Sequence, residues 1–266
     1  MSLRINFAVV GDSAAYGTGD FDEAGAPRGW GWHLARAFRD ECNYANFSRP
    51  GAQSTEVLDV QLPKALAEDP DICAVIVGGN DMLRNGFDPD LLLANLRTTV
   101  SQLLSRGSEV LMIELHDPNQ LLRLPRLLKR VLRRRVDAVN ACYRKIASEF
   151  DVVLIRTRDL PDVHAIHNWH IDRMHPGPNG HQLLAREMAE QLRRRGWAIS
   201  LPVYTPYVRE KSAAQIKWLI VKGAPWFLKR SVDLLPAALI LMAIELVRVC
   251  VEKVSEALSP AGVTAE

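Results

Sequence analysis

The sequence lacks several features that would place it in other protein classes. Its four cysteines lie far apart and form no C-x-x-C pair, which argues against a zinc ribbon or a redox motif. Lys plus Arg total 33 and Asp plus Glu total 31, so the net charge of +2 argues against a dedicated nucleic-acid binder. Neither a P-loop motif nor a G-x-G-x-x-G motif follows the first apolar run, so nucleotide phosphates have no obvious cradle.

Long apolar runs are also missing, and we expect no secretory leader at the N-terminus. The N-terminal apolar stretch is short, contains Asn6 and is not followed by a small-residue cleavage site. Near the C-terminus, the longest uncharged run is Leu234–Ile244, which is shorter than the roughly 20 residues that a bilayer-spanning helix needs. We therefore expect a cytoplasmic protein with reduced thiols.

What is present is an alternation of short apolar runs with longer stretches of helical period. Runs that are apolar on both faces are typical of strands in a parallel sheet with helices on both sides. The predicted strands are Ile5–Val10, Tyr44–Phe47, Ile72–Val77, Glu109–Leu115 and Val152–Ile155. The predicted helices are Trp30–Asp40, Thr55–Ala67, Pro89–Arg106, Leu127–Phe150 and Pro178–Arg195. The pattern predicts an α/β domain in which ligands bind beyond the carboxyl ends of the strands.

The chain changes character near residue 200. Leu201–Pro206 contains two prolines and is predicted to be a linker. Ser212–Lys222 and Ser231–Leu258 are predicted helices. We therefore divide the chain into a domain at 1–200 and a helical C-terminal extension at 201–266.

Three short motifs follow predicted strands and carry side chains or backbone groups suited to acyl chemistry. Gly11-Asp12-Ser13 places a hydroxyl on a tight turn, where the backbone N–H of Ser13 can also face a substrate. Gly51 can offer a bare N–H, and Asn80, after two glycines, can offer a side-chain amide. Taken singly, the Ser13 and Gly51 motifs are better explained as an ordinary helix cap and an ordinary turn, and the Asn80 motif fits a turn equally well.

A fourth motif, Asp172-Arg173-Met174-His175-Pro176, lies in the last loop before the predicted C-terminal helix of the domain. An Asp three residues before a His can accept the Nδ1 proton and leave Nε2 free to take a proton from a serine. An exposed Asp and His in a polar loop would be the alternative interpretation of this motif alone.

Together, the four motifs occur in the order Ser, Gly, Asn, Asp, His, and this pattern resembles the SGNH/GDSL hydrolase family over about residues 5–195. The resemblance implies a flavodoxin-like three-layer α/β/α sandwich and a serine hydrolase of acyl esters, of esterase or lipase type, without metal or cofactor. It implies that Ser13 is the nucleophile, His175 the general base and Asp172 its orienting group. The oxyanion hole would consist of Ser13, Gly51 and Asn80. The family's older name, GDSL, has Leu at the position that Ala14 occupies in this sequence.

Two other interpretations compete with a hydrolase. A catalytically idle, flavodoxin-like module for membrane or protein interaction would fit the fold, and Gly17-Thr18-Gly19 could line a flavin phosphate. That interpretation leaves Asn80 and the Asp172/His175 pair without a role. The spacing of His164, His167, His170 and His175 resembles that of metal ligands, but an irregular polar loop is the more economical interpretation.

Two segments are candidates for peripheral membrane contact. Leu121–Val136 carries seven basic residues, no acid and interleaved leucines, which fits either an interfacial helix or a surface helix docked on the sheet. The 201–266 extension places Trp218, Trp226 and Phe227 among basic residues, as interfacial anchors do. Membrane contact would favour long-chain acyl esters such as lysophospholipids, whereas the sequence leaves acyl length, alcohol, final acceptor and oligomeric state open.

Overall fold

A five-stranded parallel sheet lies at the centre of the protein, whose computed structural model describes residues 4–207 and Leu246. The strands run in the order β2-β1-β3-β4-β5, and every neighbouring pair is parallel. They are β1 (Ile5–Gly11), β2 (Cys42–Asn46), β3 (Ile72–Ile76), β4 (Glu109–Ile113) and β5 (Val153–Ile155). This order is the flavodoxin-like one, so the predicted sheet is confirmed.

Helices cover both faces of the sheet. Alternate residues of β1 enter different cores: Phe7 and Val9 pack on one side, Ala8 and Val10 on the other. The helices are α1 (Ser13–Tyr16), α2 (Gly29–Ala35), α3 (Ser54–Glu56), α4 (Leu62–Ala67), α5 (Gly79–Met82), α6 (Pro89–Ser105), α7 (Arg126–Glu149) and α8 (Pro178–Arg194). Helices α2 and α8 supply the first core, and α4, α6 and α7 supply the second, which confirms the three-layer sandwich.

Two predicted elements differ from the structure because of their neighbours. The sequence predicts strand β2 at Tyr44–Phe47, covered on both faces. The strand in fact starts at Cys42 and is half-buried throughout, because it is an edge strand paired only with β1. Helix α2 was expected to reach Asp40 but ends at Ala35. Beyond it, Phe38 forms a β-bridge with Ile199, a contact between distant parts of the chain that replaces further helical turns.

The helix predicted at Thr55–Ala67 is interrupted by a π-helical turn, Val57–Gln61, between α3 and α4. The N–H of Leu62 donates to the carbonyl of Val57, five residues earlier. Pro63 follows directly and lacks the N–H that would continue an α-helical ladder through this turn. The turn ends at Gln61, a buried polar residue.

The basic stretch Leu121–Val136 is helical only from Arg126, where α7 begins. Pro125 disfavours helix in the residue before it, so the first part of the stretch is a loop. The apolar side chains of Leu121, Val131 and Val136 are buried. The stretch therefore docks on the protein core through these residues. None of the helices within the described residues is long and apolar enough to cross a bilayer.

The predicted linker after residue 200 is attached to α8. The amide of Gln182 accepts from the N–H of Thr205 at 2.7 Å and donates to its carbonyl at 3.0 Å. Asn179 pairs in the same way with Tyr207, at 2.8 and 3.2 Å. The chain thus follows α8 as far as Tyr207. The helices predicted at 212–222 and 231–258 lie outside the described residues apart from Leu246, so the division at residue 200 stays a prediction.

Candidate active site

The turn after β1 presents Ser13 at the first position of α1. Asp12 precedes the helix, and its Oδ1 accepts the N–H of Ala14 at 3.0 Å, which fixes the turn. Gly11 has φ +146°, and a Cβ there would lie 2.0 Å from the carbonyl oxygen of Ile76. Only glycine fits where β1 passes this close to β3.

The loop before α8 brings the predicted Asp172/His175 pair to the same turn. The Nε2 atom of His175 lies 2.7 Å from Oγ of Ser13, and its Nδ1 atom lies 2.8 Å from Oδ2 of Asp172. The other oxygen of Asp172 accepts the backbone N–H groups of Met174 at 2.8 Å and His175 at 3.0 Å. Because a carboxylate only accepts, the imidazole carries its proton on Nδ1 and leaves Nε2 to accept from the hydroxyl.

Asp172 is held in its charged form. Partial burial opposes ionisation, but hydrogen bonds from His170 and His175 outweigh it and hold the pKa of the carboxyl far below its usual range. The Nδ1 atom of His170 lies 3.1 Å from the oxygen that also contacts His175. The Asp172 carboxylate is therefore available to orient His175 over the whole neutral range.

The two predicted oxyanion donors outside the turn of Ser13, Gly51 and Asn80, border the same cavity as Ser13 and His175. Gly51 has φ +89°, a left-handed conformation suited to glycine. One N–H of the Asn80 amide donates to the carbonyl of Ala52 at 3.2 Å. An Asn amide has two N–H groups, so this bond orients the side chain and leaves a second donor.

A buried polar network joins the loop that carries Gly51 to the helix that carries Asn80. The hydroxyl of Ser54 donates to Asp81 Oδ1 at 2.6 Å, and the backbone N–H of Ser54 lies 3.0 Å from the same oxygen. The amide of Asn95 donates to the Ser54 hydroxyl at 3.0 Å. The network fixes the distance between the two candidate oxyanion donors.

The cavity beside these groups has a volume of about 530 Å³ and is walled mainly by apolar side chains. A cavity of this size can hold a small organic molecule or an aliphatic chain. Among the ionisable residues of its lining, Glu114 is buried and paired with Arg144 at 3.0 Å. The apolar lining side chains include Ile76, Met82, Leu83, Ile113, Leu115, Leu122, Leu132, Val163, Trp169, Leu183 and Leu184.

Two buried imidazoles support the site as neutral groups. Burial lowers the pKa of His181 to about 4, and its Nε2–H donates to the carbonyl of Thr18 at 3.0 Å while Nδ1 accepts the N–H of Trp30. Burial also lowers the pKa of His116 to about 3, and its ring contacts that of Trp169 at an interplanar angle of 43°, with centroids 3.9 Å apart. Within residues 4–207, no group of three or more His, Cys, Asp or Glu side chains is arranged to hold a metal ion.

Sequence reasoning missed several polar side chains that shape the site. Gln61, Asp81, Asn140 and Tyr143 all bond to backbone near the candidate site and are buried. The available signal was weak: Gln61 occupies a core-facing position among apolar residues, as do Asn140 and Tyr143 on α7. A polar residue at such a position implies a buried partner, which a sequence cannot name.

The three-layer fold, with Ser, Gly, Asn, Asp and His motifs at one edge of the sheet, defines the class of the protein as an ester hydrolase of SGNH type. The chain belongs to the GDSL-like lipase/acylhydrolase family, whose model matches residues 9–183. The expectation of a hydrolase is thereby confirmed, and the idle binding module is not retained.

Individual relatives agree with this membership. The chain is 29% identical over 186 residues to thioesterase 1/protease 1/lysophospholipase L1 of Escherichia coli (strain K12), covering 69% of this chain and 81% of that protein. The crystal structure of TesA is similar with a TM-score of 0.55 and 24% identity, covering 71% of this chain and 98% of TesA. The structure of the acetylxylan esterase Axe2 of Geobacillus stearothermophilus is similar with a TM-score of 0.55 and 18% identity, covering 72% of this chain and 96% of Axe2. The two structural similarities concern the fold.

Asp12 provides a test of the electrostatics beside Ser13. Burial raises the pKa of its carboxyl from 3.8 to about 6. A raised folded-state pKa means that Asp12 favours folding at low pH, and that this contribution is lost as the pH rises from about 4 to about 6. We expect Asp12→Asn to raise the free energy of unfolding by about 1–3 kcal/mol at neutral pH, with little effect at pH 4 or below.

The measurement is urea unfolding of both proteins at several pH values, with the exposed Asp59→Asn as the charge-matched control. The Asn side chain retains the oxygen that caps α1. A stability difference between wild type and Asp12→Asn that is independent of pH would contradict this account.

Proposed function

We propose that Ser13, His175 and Asp172 are the catalytic triad of an enzyme that hydrolyses carboxylic esters through an acyl-enzyme on Ser13. One observation carries the proposal: His175 lies 2.7 Å from the Ser13 hydroxyl and 2.8 Å from Asp172, on its two different ring nitrogens. A hydroxyl, an imidazole and a carboxylate in this sequence of contacts make a nucleophile, a base and an orienting group.

The proposed reaction has two halves. His175 Nε2 accepts the hydroxyl proton as Ser13 Oγ attacks the ester carbonyl carbon, and the resulting oxyanion accepts hydrogen bonds from the N–H groups of Ser13 and Gly51 and from the Asn80 amide. When the tetrahedral intermediate collapses, the alcohol leaves with the proton from His175, and the acyl group stays on Ser13. Water, deprotonated by His175, then attacks the acyl carbonyl, and the acid is released as Ser13 recovers its proton.

Covalent labelling tests the nucleophile. We expect an organophosphonate to modify wild type on Ser13 and Ser13→Ala not at all, with hydrolysis of a short-chain ester reduced by at least about 10³-fold. Ser101→Ala, which removes an exposed hydroxyl on α6, is the matched control and should label like wild type. Intact mass and peptide mapping identify the labelled residue. Stoichiometric labelling of Ser13→Ala at another residue would remove the assignment.

For the substrate, we propose an acyl ester of lipase or lysophospholipase type, with the acyl chain in the apolar cavity. The cavity's volume and its apolar walls support a chain longer than acetyl. The name of the E. coli relative, thioesterase 1/protease 1/lysophospholipase L1, agrees with this class, whereas Axe2 is an acetylxylan esterase. The apolar lining of this chain's cavity supports the longer acyl group.

Narrowing the cavity tests the chain-length proposal. Leu122→Trp adds bulk to a lining residue, and overpacking of about 1–3 kcal/mol should lower the ratio of long-chain to short-chain kcat/KM by about tenfold. Leu91→Trp, at an exposed position on α6 away from the cavity, is the control and should leave the ratio unchanged. Esters of rising acyl length on one alcohol supply the ratio, and an unchanged ratio in Leu122→Trp would contradict the proposal.

We also propose peripheral contact with anionic membranes through the segment that borders the cavity. Leu122 and Leu132 line the cavity, and Arg123, Arg126 and Arg133 are exposed on the same stretch of chain. Each basic side chain near an anionic lipid surface contributes about 1 kcal/mol. A lipid surface at this position would present acyl esters directly to the cavity. The cytoplasmic location inferred from the sequence stays a prediction.

Co-sedimentation with vesicles tests the membrane proposal. We expect the double variant Arg123→Glu/Arg126→Glu to bind phosphatidylserine-containing vesicles at least about tenfold more weakly than wild type. Lys64→Glu/Arg106→Glu, which changes the charge equally at exposed positions outside the cavity lining, is the control. Equal binding by the two double variants would contradict the proposal. A chain ending at Tyr207, assayed in parallel, measures the contribution of the later residues.

A further inference from the structure

Three neighbouring strands end in the same unusual way. At the end of each strand, one helix side chain hydrogen-bonds to both the N–H and the carbonyl of a single backbone residue, and we name these contacts strand-end clamps. The clamps are Gln61 on Gly11 (2.7 and 3.0 Å), Tyr143 on Val77 (2.8 and 2.7 Å) and Asn140 on Leu115 (2.8 and 2.9 Å).

Burying the Gln61 amide in the core costs free energy, because the amide gives up its hydrogen bonds to water. Gln61 is 2% exposed and lies among apolar residues, where an aliphatic side chain would pack without any polar group to satisfy. Without its amide, the N–H of Gly11 would lose its 2.7 Å acceptor in a buried setting. The amide thus replaces a missing strand neighbour at the end of β1.

Gly11 is the point where the candidate nucleophile turn and an oxyanion loop meet. Its carbonyl accepts from Gln61 and also from the N–H of Arg49, two residues before Gly51. In the other direction, Gly11 leads through Asp12 to Ser13. Gln61 therefore holds the residue from which the chain runs on to Ser13 and to which the loop that carries Gly51 is hydrogen-bonded.

The π-helical turn determines the direction in which the Gln61 side chain points. Gln61 is the last residue of that turn, where the N–H of Leu62 reaches back to the carbonyl of Val57. Single π-helical turns inside α-helices occur frequently at functional sites, because the inserted residue changes which side chain faces inward. Here the side chain that faces inward contacts the end of β1.

We propose that Gln61 is a positioning residue for the hydrolase reaction. By holding both polar groups of Gly11, it sets the direction of the Ser13 and Gly51 N–H groups toward the oxyanion, and it touches no reacting atom. This proposal rests on the proposed role of Ser13. Donors aimed at an oxyanion act in the transition state, so their misalignment lowers kcat and leaves KM nearly unchanged.

The test compares Gln61→Met with Ser108→Ala. Both remove buried side-chain hydrogen bonds to backbone, but the Ser108 hydroxyl donates to the carbonyl of Pro70 at 2.6 Å just before β4, at the opposite end of the sheet from Ser13. With a short-chain ester, we expect Gln61→Met to lose about tenfold or more in kcat at constant KM. Its affinity for a boronic acid that forms a tetrahedral adduct should fall by the same factor. Ser108→Ala should lose thermal stability and keep kcat.

Each result decides the question. Loss of melting temperature in Gln61→Met with wild-type kcat, or equal loss of kcat in both variants, would reduce Gln61 to a structural role and overturn the proposal. If Gln61→Met does not fold, Gln61→Asn keeps a buried amide that is one methylene too short for the clamp and should show the same loss of kcat. Failure of the triad assignment is separate, because wild type would then not label on Ser13.

Discussion

The hydrogen bond between Ser13 and His175 joins residues 162 apart in sequence, with 2.7 Å between Oγ and Nε2. Ser13 follows strand β1, whereas His175 lies in the loop before α8. The two meet because α8 packs on α2, and because the buried imidazole of His181 on α8 bonds to the carbonyl of Thr18 and the N–H of Trp30. These bonds fix the start of α8 against the chain that follows Ser13, so the geometry of the site depends on the packing of one helix pair.

Two carboxyl groups beside this contact show how burial and partners set charge in opposite ways. Asp172 accepts hydrogen bonds from the imidazoles of His170 and His175, which hold its pKa far below the usual range despite burial. Asp12 is more deeply buried, its partners do not compensate, and its pKa is raised to about 6. Asp172 is therefore charged throughout the neutral range, whereas Asp12, next to Ser13, loses its charge as the pH falls through about 6. Two aspartates near the same site thus have opposite pKa shifts because their hydrogen-bond partners and burial differ.

The sheet and the positions of the site motifs were predictable because they depend on local pattern. Buried strands are apolar on both faces, and the turn after β1 and the Asp172/His175 loop each carry their chemistry within a few residues. The features that were not predictable depend on contacts between distant residues. Helix α2 ends before Phe38, which pairs with Ile199 instead. The π-helical turn ends at Gln61, whose side chain bonds to Gly11 of β1. Sequence pattern marks a buried polar residue as unusual, but its partner is defined only by the fold.

The most direct test of the account is a crystal structure of the protein after reaction with an organophosphonate. The account predicts phosphorus bonded to Ser13 Oγ, with one phosphonyl oxygen about 2.7–3.1 Å from the N–H groups of Ser13 and Gly51 and from the Asn80 amide. His175 would still lie between the adduct and Asp172, and the alkyl chain would occupy the apolar cavity. A phosphonyl oxygen that points away from all three donors, or phosphorus on another residue, would contradict the central claim.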